Sequence, residues 1–437
     1  MVFSSAVGFS VQFPLARVLR TWYDLLHTND NGGTAMLYKQ FKDKQLSALG
    51  FGTMRLPLLP GGGPGDIDQA TVDKMVDYAI AHGVNYFDTA KPYHAGHSEL
   101  SIGKALARYP RDSWYLADKF PGHQVVKGID IPLEETFEEE LKACGVEYFD
   151  FYLLHNVNEH SAKYYMDRSR GCVDYFVRQR ELGRIHHLGF SCHADAAGLE
   201  AFLDMYGEHM EFCQIQLNYL DWTLQGAKEK CALLAERGIP VWVMEPVRGG
   251  RLAKLDGDSE AKMRALRPEE STAAWAFRWL QTVPRPTMVL SGMSDLSQMV
   301  DNIKTFETEK PLTAEELEVV YTAADRLSTL IPCTGCRYCC AGCPKQLNIP
   351  LLISLCNDMR IDAPMNAIAR YDALDEKRAS ACISCGKCRI ACPQNIDVPA
   401  AMKELVALRE GKKSWIDICI ERDQAAKALR AEKAENQ

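Results

Sequence analysis

The sequence predicts an α/β protein in two parts: a (β/α)8 TIM barrel, followed by a small, mainly helical domain rich in cysteine. Three observations lead to this prediction. From residue 49 onward, short apolar runs alternate eight times with segments of helical period, which is typical of βα units around a parallel sheet. The eight units extend over about 250 residues, the usual size of such a barrel. Ten of the 16 cysteines then fall between Cys333 and Cys392.

Eight segments are predicted as the barrel strands because each is short and rich in β-branched or aromatic residues. In chain order they are LGFGTMRL, VNYFDTA, WYLADKF, YFDFYLLHNV, IHHLGFSC, FCQIQLNYL, PVWVMEPV and TMVLSGM. Between the first two, apolar residues from Val72 to Ile80 recur at helical spacing, and His82-Gly83 marks the end of that helix. A doubly wound sheet is the alternative, but no strand leads into a GxGxxG turn.

Composition argues against several classes of function. A net charge of -8 with 25% charged residues favours neither a nucleic-acid surface nor a polybasic membrane patch. No apolar run reaches the roughly 20 residues of a membrane span. Cysteines in tight, repeated spacings favour metal ligation in a reducing compartment, and therefore a cytoplasmic location, over a disulfide framework. A small molecule is the expected substrate.

The chain divides into three predicted regions. The apolar start of the chain lacks the basic segment of a signal peptide, which also favours a cytoplasmic location. Because Met36 follows the polar segment TNDNGG and reads like the start of a folded domain, we interpret residues 1–35 as a dispensable extension or an upstream start codon. The barrel is predicted for residues 36–328, where it ends after the helical segment LTAEELEVVYTAADRLSTL. Residues 329–437 form the predicted cysteine-rich domain.

Four polar residues stand at consecutive strand ends, where a TIM barrel builds its active site. Asp88 and Tyr93 follow the second strand, Lys119 closes the third and His155 closes the fourth. Each alone has a structural explanation, but together they predict catalysis. A tyrosine can protonate a carbonyl oxygen as hydride reaches the carbon. We expect Lys119 to lower the tyrosine pKa, Asp88 to hold Lys119, and His155 to orient the carbonyl.

Residues 36 to 310 resemble the aldo-keto reductases, on the segments GVNYFDTAKPYHAGHSE, LADKF and DFYLLHNV. In that family Asp, Tyr, Lys and His form a catalytic tetrad in this order. The resemblance implies hydride transfer between NAD(P)H and a carbonyl or alcohol. It also implies seven cofactor contacts, namely Ser191, Gln214, Gly249, Ser291, Gly292, Gln298 and Asn302.

Two positions depart from the family pattern. Met244-Glu245 stands where many members stack a tyrosine on the nicotinamide. Ser294 stands where an arginine often meets the 2′-phosphate of NADP, which leaves Arg248 or Arg251 of the neighbouring loop as candidates. The choice between NAD and NADP therefore stays open.

Two cysteine runs share the spacing C-x2-C-x2-C-x3-C-P, the pattern of two-cluster bacterial ferredoxins. The runs are Cys333, Cys336, Cys339, Cys343 and Cys382, Cys385, Cys388, Cys392. They predict two [4Fe-4S] clusters, because a zinc site would not explain the third cysteine or the proline. Since the fourth cysteine commonly ligates the other cluster, we expect Cys392 to join the first three and Cys343 to join the second three. Cys340 falls outside the spacing.

Three further segments have helical spacing, IPLLISLCNDMRIDA, MNAIARYDAL and VPAAMKELVALREG. They make the domain similar to the helical ferredoxin domains of larger redox enzymes, and the tail ERDQAAKALRAEKAENQ is predicted as a surface helix. A barrel joined to such a domain resembles the iron-sulfur branch of the aldo-keto reductases, in which VMEP and SGM are usual.

The leading hypothesis is an oxidoreductase that reduces a carbonyl, or oxidises an alcohol, with a nicotinamide cofactor. A hydride carries two electrons and a cluster accepts one, so three roles stay open for the clusters: electron transfer with a protein donor or acceptor, structure, and oxidant sensing. The alternative is an electron-transfer or regulatory iron-sulfur protein whose barrel binds nucleotide without reducing a carbonyl.

Overall fold

The computed structural model describes residues 36–63, 65–127, 131–158, 161–283, 286–361, 365–410 and 412. The predicted extension over residues 1–35 and the predicted helix in the tail lie outside these residues. In the part of the chain that is described, no helix is long and apolar enough to cross a membrane.

A hairpin that the sequence analysis did not predict precedes the barrel. Its strands β1 (Tyr38–Phe41) and β2 (Lys44–Ser47) pair antiparallel around a tight turn in which Lys42 has a φ of 51°. Phe41 is buried, and its ring centroid lies 5.0 Å from that of Trp242 and 5.7 Å from that of Phe151. Trp242 and Phe151 both lie near the starts of their barrel strands. The hairpin therefore closes the amino-terminal end of the barrel.

Eight parallel strands form the closed barrel that the sequence predicts, each paired with the next and the last paired with the first. They are β3 (Leu49–Gly52), β4 (Tyr86–Asp88), β5 (Tyr115–Phe120), β6 (Phe149–Val157), β7 (Ile185–Cys192), β8 (Cys213–Gln216), β9 (Val241–Met244) and β10 (Pro286–Gly292). In the closing pair, Leu290 stands opposite Gly50. All eight predicted strand segments are confirmed.

Helices surround the barrel. They are α1 (Gln69–Ala81), α2 (Ser98–Leu106), α3 (Leu133–Cys144), α4 (Ala162–Tyr165), α5 (Cys172–Glu181), α6 (Ala196–Tyr206), α7 (Asp221–Leu224), α8 (Ala227–Glu236), α9 (Gly257–Leu266), α10 (Thr272–Thr282), α11 (Leu296–Phe306) and α12 (Ala314–Ser328). The predicted helix between the first two strands is α1. The Asp68 carboxylate caps its start by accepting from Thr71 N at 3.1 Å, and Gly83 follows its end with a φ of +85°.

The cysteine-rich domain is mainly helical, as the sequence predicts. Its helices are α13 (Ile349–Ile361), α14 (Met365–Asp372), α15 (Lys387–Ile390) and α16 (Val398–Glu410). Leu352 and Leu355 of α13 and Leu405 of α16 are fully buried in a core separate from that of the barrel. Two hydrogen bonds of 2.6 Å from Arg360 to Glu404 join the exposed sides of α13 and α16.

A buried ion pair anchors α12, the last helix before the cysteine-rich domain. Glu316 closes a capping box with Thr313 and accepts from Arg267 at 2.6 and 2.7 Å. The hydrogen bonds and charge of Arg267 lower the pKa of Glu316 from 4.5 to about 2. A carboxyl group whose pKa is lowered by folding stabilises the folded state at pH values above its unfolded pKa. This contribution is lost as the pH falls through the pKa that the group has in the folded state.

We therefore expect Glu316→Gln to lower the free energy of unfolding by about 2 to 3 kcal/mol at pH 7. The difference from wild type should shrink between pH 4.5 and pH 2. Urea unfolding at several pH values measures it. The control is Glu315→Gln, which removes an exposed carboxylate from the same turn. A deficit that does not change with pH contradicts the assignment.

Candidate active site and cysteine sites

The carboxyl-terminal rim of the barrel brings the four predicted catalytic residues together. Asp88 ends β4, while Lys119 and His155 lie near the ends of β5 and β6. Tyr93 begins the short turn Tyr93–Gly96 that follows β4. All four line one cavity of about 370 Å³.

Asp88 and Lys119, which both line this cavity, form a buried ion pair. Lys119 Nζ lies 2.5 Å from Asp88 Oδ1 and 2.5 Å from the carbonyl oxygen of Thr89. The lysine side chain is fully buried and that of Asp88 is 4% exposed. Burial raises the pKa of Asp88, and the Lys119 cation opposes that rise. Each charge thus offsets the desolvation of the other.

Tyr93 sits above this pair and beside His155. Lys119 Nζ lies 4.9 Å from the tyrosine ring centroid, and the His155 ring is 5.8 Å away, edge to face. The next two residues, His94 and Ala95, have positive φ angles of 50° and 54°. Such strained turns cluster at functional sites, where the surrounding structure holds them in place.

The predicted lowering of the Tyr93 pKa is wrong. Burial is the largest cause of a pKa raised well above 10, and the carboxylates of Asp88, Glu245 and Asp118 add to it. A neighbouring lysine cation favours the phenolate, but desolvation of the phenolate acts in the opposite direction. Tyr93 is therefore a protonated phenol at neutral pH, the form that can donate a proton.

His155 is neutral at neutral pH. Burial lowers its pKa well below 6.5, and the nearby His123 and Lys119 lower it further. Its Nδ1 atom is buried with no hydrogen-bond partner among the residues that the structure describes. A neutral imidazole can donate one hydrogen bond without bringing a second positive charge next to Lys119.

The seven predicted cofactor residues line the same cavity as the four catalytic candidates. Ser291 Oγ accepts from Asn302 Nδ2 at 3.1 Å, and Ser191 Oγ accepts from the backbone N–H of Asn156 at 2.7 Å. Gln298 caps the loop before α11 by accepting from Ser294 N at 2.9 Å. Gln214 Oε1 is buried and has no hydrogen-bond partner within the described residues.

Arg248, one of the two loop arginines considered for the 2′-phosphate, forms a buried ion pair with Asp221. Its Nε donates to both carboxylate oxygens of Asp221 at 3.0 and 2.9 Å, and the two side chains are 3% and 0% exposed. A second arginine, Arg55, lies 3.7 Å from Glu245 in the cavity wall.

The eight cysteines of the two runs lie around two small cavities, four at each. Cys333, Cys336 and Cys339 share the first cavity with Cys392, whereas Cys382, Cys385 and Cys388 share the second with Cys343. The fourth cysteine of each run thus lies with the first three of the other run. No group of three His, Cys, Asp or Glu side chains in the described residues could hold a single metal ion.

The first cysteine run also forms part of the barrel cavity, which the sequence analysis missed. Thr334, Cys336 and Tyr338 line the cavity together with the catalytic candidates. The Thr334 carbonyl accepts from Arg55 Nη2 at 2.8 Å and lies so close to Gly249 that a Cβ there would be 2.0 Å from it. The first run differs from the second at these positions, with Thr334 and Tyr338 in place of Ile383 and Lys387.

A buried amide network joins the cysteine-rich domain to β8. Gln394 Nε2 donates to Gln216 Oε1 at 2.8 Å, and Gln216 Nε2 lies 3.3 Å from Gln394 Oε1. Gln216 also donates to Asp221 at 2.7 Å, and Gln225 donates to Gln394 at 3.0 Å. The residue that follows Cys392-Pro393 is thereby tied to the barrel.

Comparison with known proteins identifies both regions. The Aldo/keto reductase family model matches residues 48–324, and a 4Fe-4S dicluster domain matches residues 332–396. The chain belongs to the aldo/keto reductase family, a family of oxidoreductases, and it carries an iron-sulfur domain in addition.

Curated relatives match part of the barrel. The NADH-specific methylglyoxal reductase of Escherichia coli is 29% identical over 48% of this chain and 66% of its own length. The Probable aldo-keto reductase 1 of Glycine max is 26% identical over 47% of this chain and 57% of its own length. The chain therefore spans less than two thirds of the length of these relatives.

Solved structures share the barrel fold. An aldo-keto reductase from Bacillus halodurans in its holo form has a TM-score of 0.52 at 24% identity and covers 66% of this chain and 96% of its own. An aldo-keto reductase from Klebsiella pneumoniae in complex with NADPH has a TM-score of 0.52 at 20% identity and covers 67% and 95%. At these identities the likeness concerns the fold alone.

We expect Lys119→Met to lower the free energy of unfolding by about 3 kcal/mol, because it leaves the Asp88 carboxylate buried without its cation. The double variant Asp88→Asn/Lys119→Met should recover at least half of that loss, since no buried charge remains. Urea unfolding of both variants and wild type measures the difference. Equal stability of the single and double variants would show that the lost charge pairing is not the cause.

Proposed function

We propose that this chain reduces a small carbonyl compound, or oxidises the corresponding alcohol, with a nicotinamide cofactor. A single observation carries the proposal: Asp88, Tyr93, Lys119 and His155 share one cavity with all seven predicted cofactor residues. A cavity of about 370 Å³ partly walled by the cysteine-rich domain favours a small substrate. The name of the Escherichia coli relative, a methylglyoxal reductase, points in the same direction.

The polar atoms of the cavity fit a nicotinamide. Gln214 Oε1 is a buried acceptor with no partner among the described residues, as required to bind the N–H of a carboxamide. Ser191 and Asn302 add polar side chains along the same wall. When bound, the nicotinamide supplies or accepts the hydride.

Tyr93 is the proton donor in this proposal. Its O–H protonates the carbonyl oxygen as negative charge develops there, and its raised pKa keeps it protonated beforehand. The Lys119 cation, 4.9 Å from the ring, stabilises the phenolate that remains, and Asp88 holds that cation. His155 donates a hydrogen bond to the same carbonyl and brings no charge of its own.

Two [4Fe-4S] clusters are the proposed occupants of the cysteine cavities. Four thiols around each cavity match the donor set of such a cluster. We assign Cys333, Cys336, Cys339 and Cys392 to the first, and Cys343, Cys382, Cys385 and Cys388 to the second. When bound, the clusters supply one-electron transfer. The place of Cys336 in the active-site wall favours a redox role over a purely structural one.

Replacing Tyr93 by phenylalanine tests the proton donor. We expect Tyr93→Phe to lower kcat for carbonyl reduction by about 100- to 10,000-fold, with the dissociation constant of the nicotinamide changed less than about twofold. Stopped-flow kinetics and fluorescence titration measure the two quantities. Tyr175→Phe is the control, because Tyr175 packs between Phe137 and Phe176 away from the cavity. If Tyr93→Phe retains every redox activity, the barrel binds nucleotide without reducing carbonyls.

A second prediction tests whether the fourth cysteine of each run binds the cluster of the other run. We expect Cys392→Ser to perturb the same cluster as Cys336→Ser, and Cys343→Ser to perturb the same cluster as Cys385→Ser. The EPR spectra of the four variants, reduced with dithionite under anaerobic conditions, should therefore fall into these two pairs. Spectra that instead pair Cys343 with Cys336 would show that each run binds its own cluster.

A further inference from the structure

We propose that the cysteine-rich domain docks a small acidic electron-carrier protein on the face around its second cysteine cavity. This outer face is formed by six exposed residues, namely Lys345, Ile383, Cys385, Lys387, Arg389 and Ile390. The inference rests on the cluster occupancy in the proposed function and adds a partner and the place where it binds. The exchange moves one electron and forms no bond, because the carrier is oxidised by one electron as the second cluster is reduced by one.

The second cysteine cavity stands at the end of a series of three cavities. The barrel cavity shares Thr334 and Cys336 with the first cysteine cavity, and the first shares Val398 with the second. Among the described residues, none lines both the barrel cavity and the second cysteine cavity. The second site is therefore the one that a partner protein can approach without displacing the barrel.

The second cysteine site also reaches the protein surface. Of the cysteines in the described part of the chain, only Cys385 is exposed. Ile383, which lines the cavity, and Ile390 are 57% and 54% exposed. A group bound by Cys385 lies close to the surface, and the two isoleucines beside it offer the apolar contact that the core of an interface uses.

The charge of the outer face favours an acidic partner. The chain segments around the second cavity, residues 343–349, 382–390 and 398–403, hold four basic residues and no acidic one. All four are exposed, namely Lys345, Lys387, Arg389 and Lys403. Asp397, just before the third segment, lies 3.7 Å from Arg389 and offsets one of these charges. The face is thus positive in a chain whose net charge is -8, and its electrostatic complement is an acidic surface.

Two other occupants match this charge less well. Residues 413–437 contain five basic and five acidic residues, so this segment has no net charge to complement the face. A second copy of the chain would pair the same patch with itself in a twofold dimer, which places basic residues opposite basic residues. An acidic carrier is the occupant that the charges favour.

Charge reversal on the outer face tests the proposal in the full-length, cluster-loaded protein. The probe is an acidic [2Fe-2S] ferredoxin of the plant type, and biolayer interferometry under anaerobic conditions measures its association and dissociation rate constants. We expect Lys345→Glu/Lys387→Glu to lower the association rate constant about tenfold at low salt, with a smaller difference at high ionic strength. The control, Lys142→Glu/Lys228→Glu, makes the same charge change at exposed lysines of α3 and α8. Iron and sulfide content should match wild type in both variants.

The apolar part of the outer face has a different kinetic signature. We expect Ile390→Ser to raise the dissociation rate constant about fivefold and to leave the association rate constant nearly unchanged, because apolar contacts form after the encounter. The control is Leu182→Ser, since Leu182 on the barrel is 55% exposed. Bleaching of the cluster absorbance after mixing with reduced ferredoxin should slow in the outer-face variants and not in the controls.

The outcomes separate the inference from the proposed function, because no carbonyl substrate is needed. Weaker ferredoxin binding in the outer-face variants alone supports the inference, and equal binding by these variants and wild type overturns it. Carbodiimide crosslinks from Lys387 to residues 413–437 that ferredoxin does not displace, or a dimer that Lys345→Glu/Lys387→Glu dissociates, would assign the face to another occupant and also overturn it. Protein without iron refutes the cluster occupancy, whereas iron-loaded protein that binds no ferredoxin refutes only the inference.

Discussion

Closure of the eight-stranded barrel is the constraint on which the rest of the molecule depends. Each parallel strand pairs with the next and β10 pairs with β3, so all eight carboxyl ends meet on one rim. Asp88, Lys119, His155, Gln214 and Ser291 are far apart in the chain, yet each lies near the end of a strand and so reaches the same cavity. The hairpin beneath, with Phe41 among the interior aromatics, closes the opposite end and leaves the rim as the open one.

The cysteine-rich domain adds to this rim and does not form a separate appendage. Thr334 and Tyr338 of its first run stand in the cavity wall, and Gln394, just after its last cysteine, is bound to Gln216 of β8. The cavity of the four catalytic candidates and the first cysteine cavity thus share Thr334 and Cys336 as lining residues. Because the two cavities share these residues, whatever occupies one site lies close to residues of the other.

The differences between expectation and structure have separate physical causes. The sequence placed a lysine beside Tyr93 but could not show that the phenol is almost entirely removed from water, and this burial is the largest cause of its raised pKa. The sequence also could not show that Arg248, a candidate for the cofactor phosphate, forms a buried ion pair with Asp221, a residue 27 positions earlier. The hairpin was missed because two four-residue strands carry too short an alternation to distinguish them from a loop.

The sequence by itself determined the barrel, the order of its eight strands, the helical nature of the second domain and the residue types at the strand ends, because periodicity and spacing are local properties of the chain. It also indicated which eight cysteines belong together, through the repeated run. Only the tertiary structure decided that the loop Thr334–Tyr338 enters the barrel cavity, that Glu245 and Arg55 face each other there, and how far each ionisable group is buried. These depend on contacts between residues up to about 280 positions apart, such as Arg55 and Thr334, and no local pattern records them.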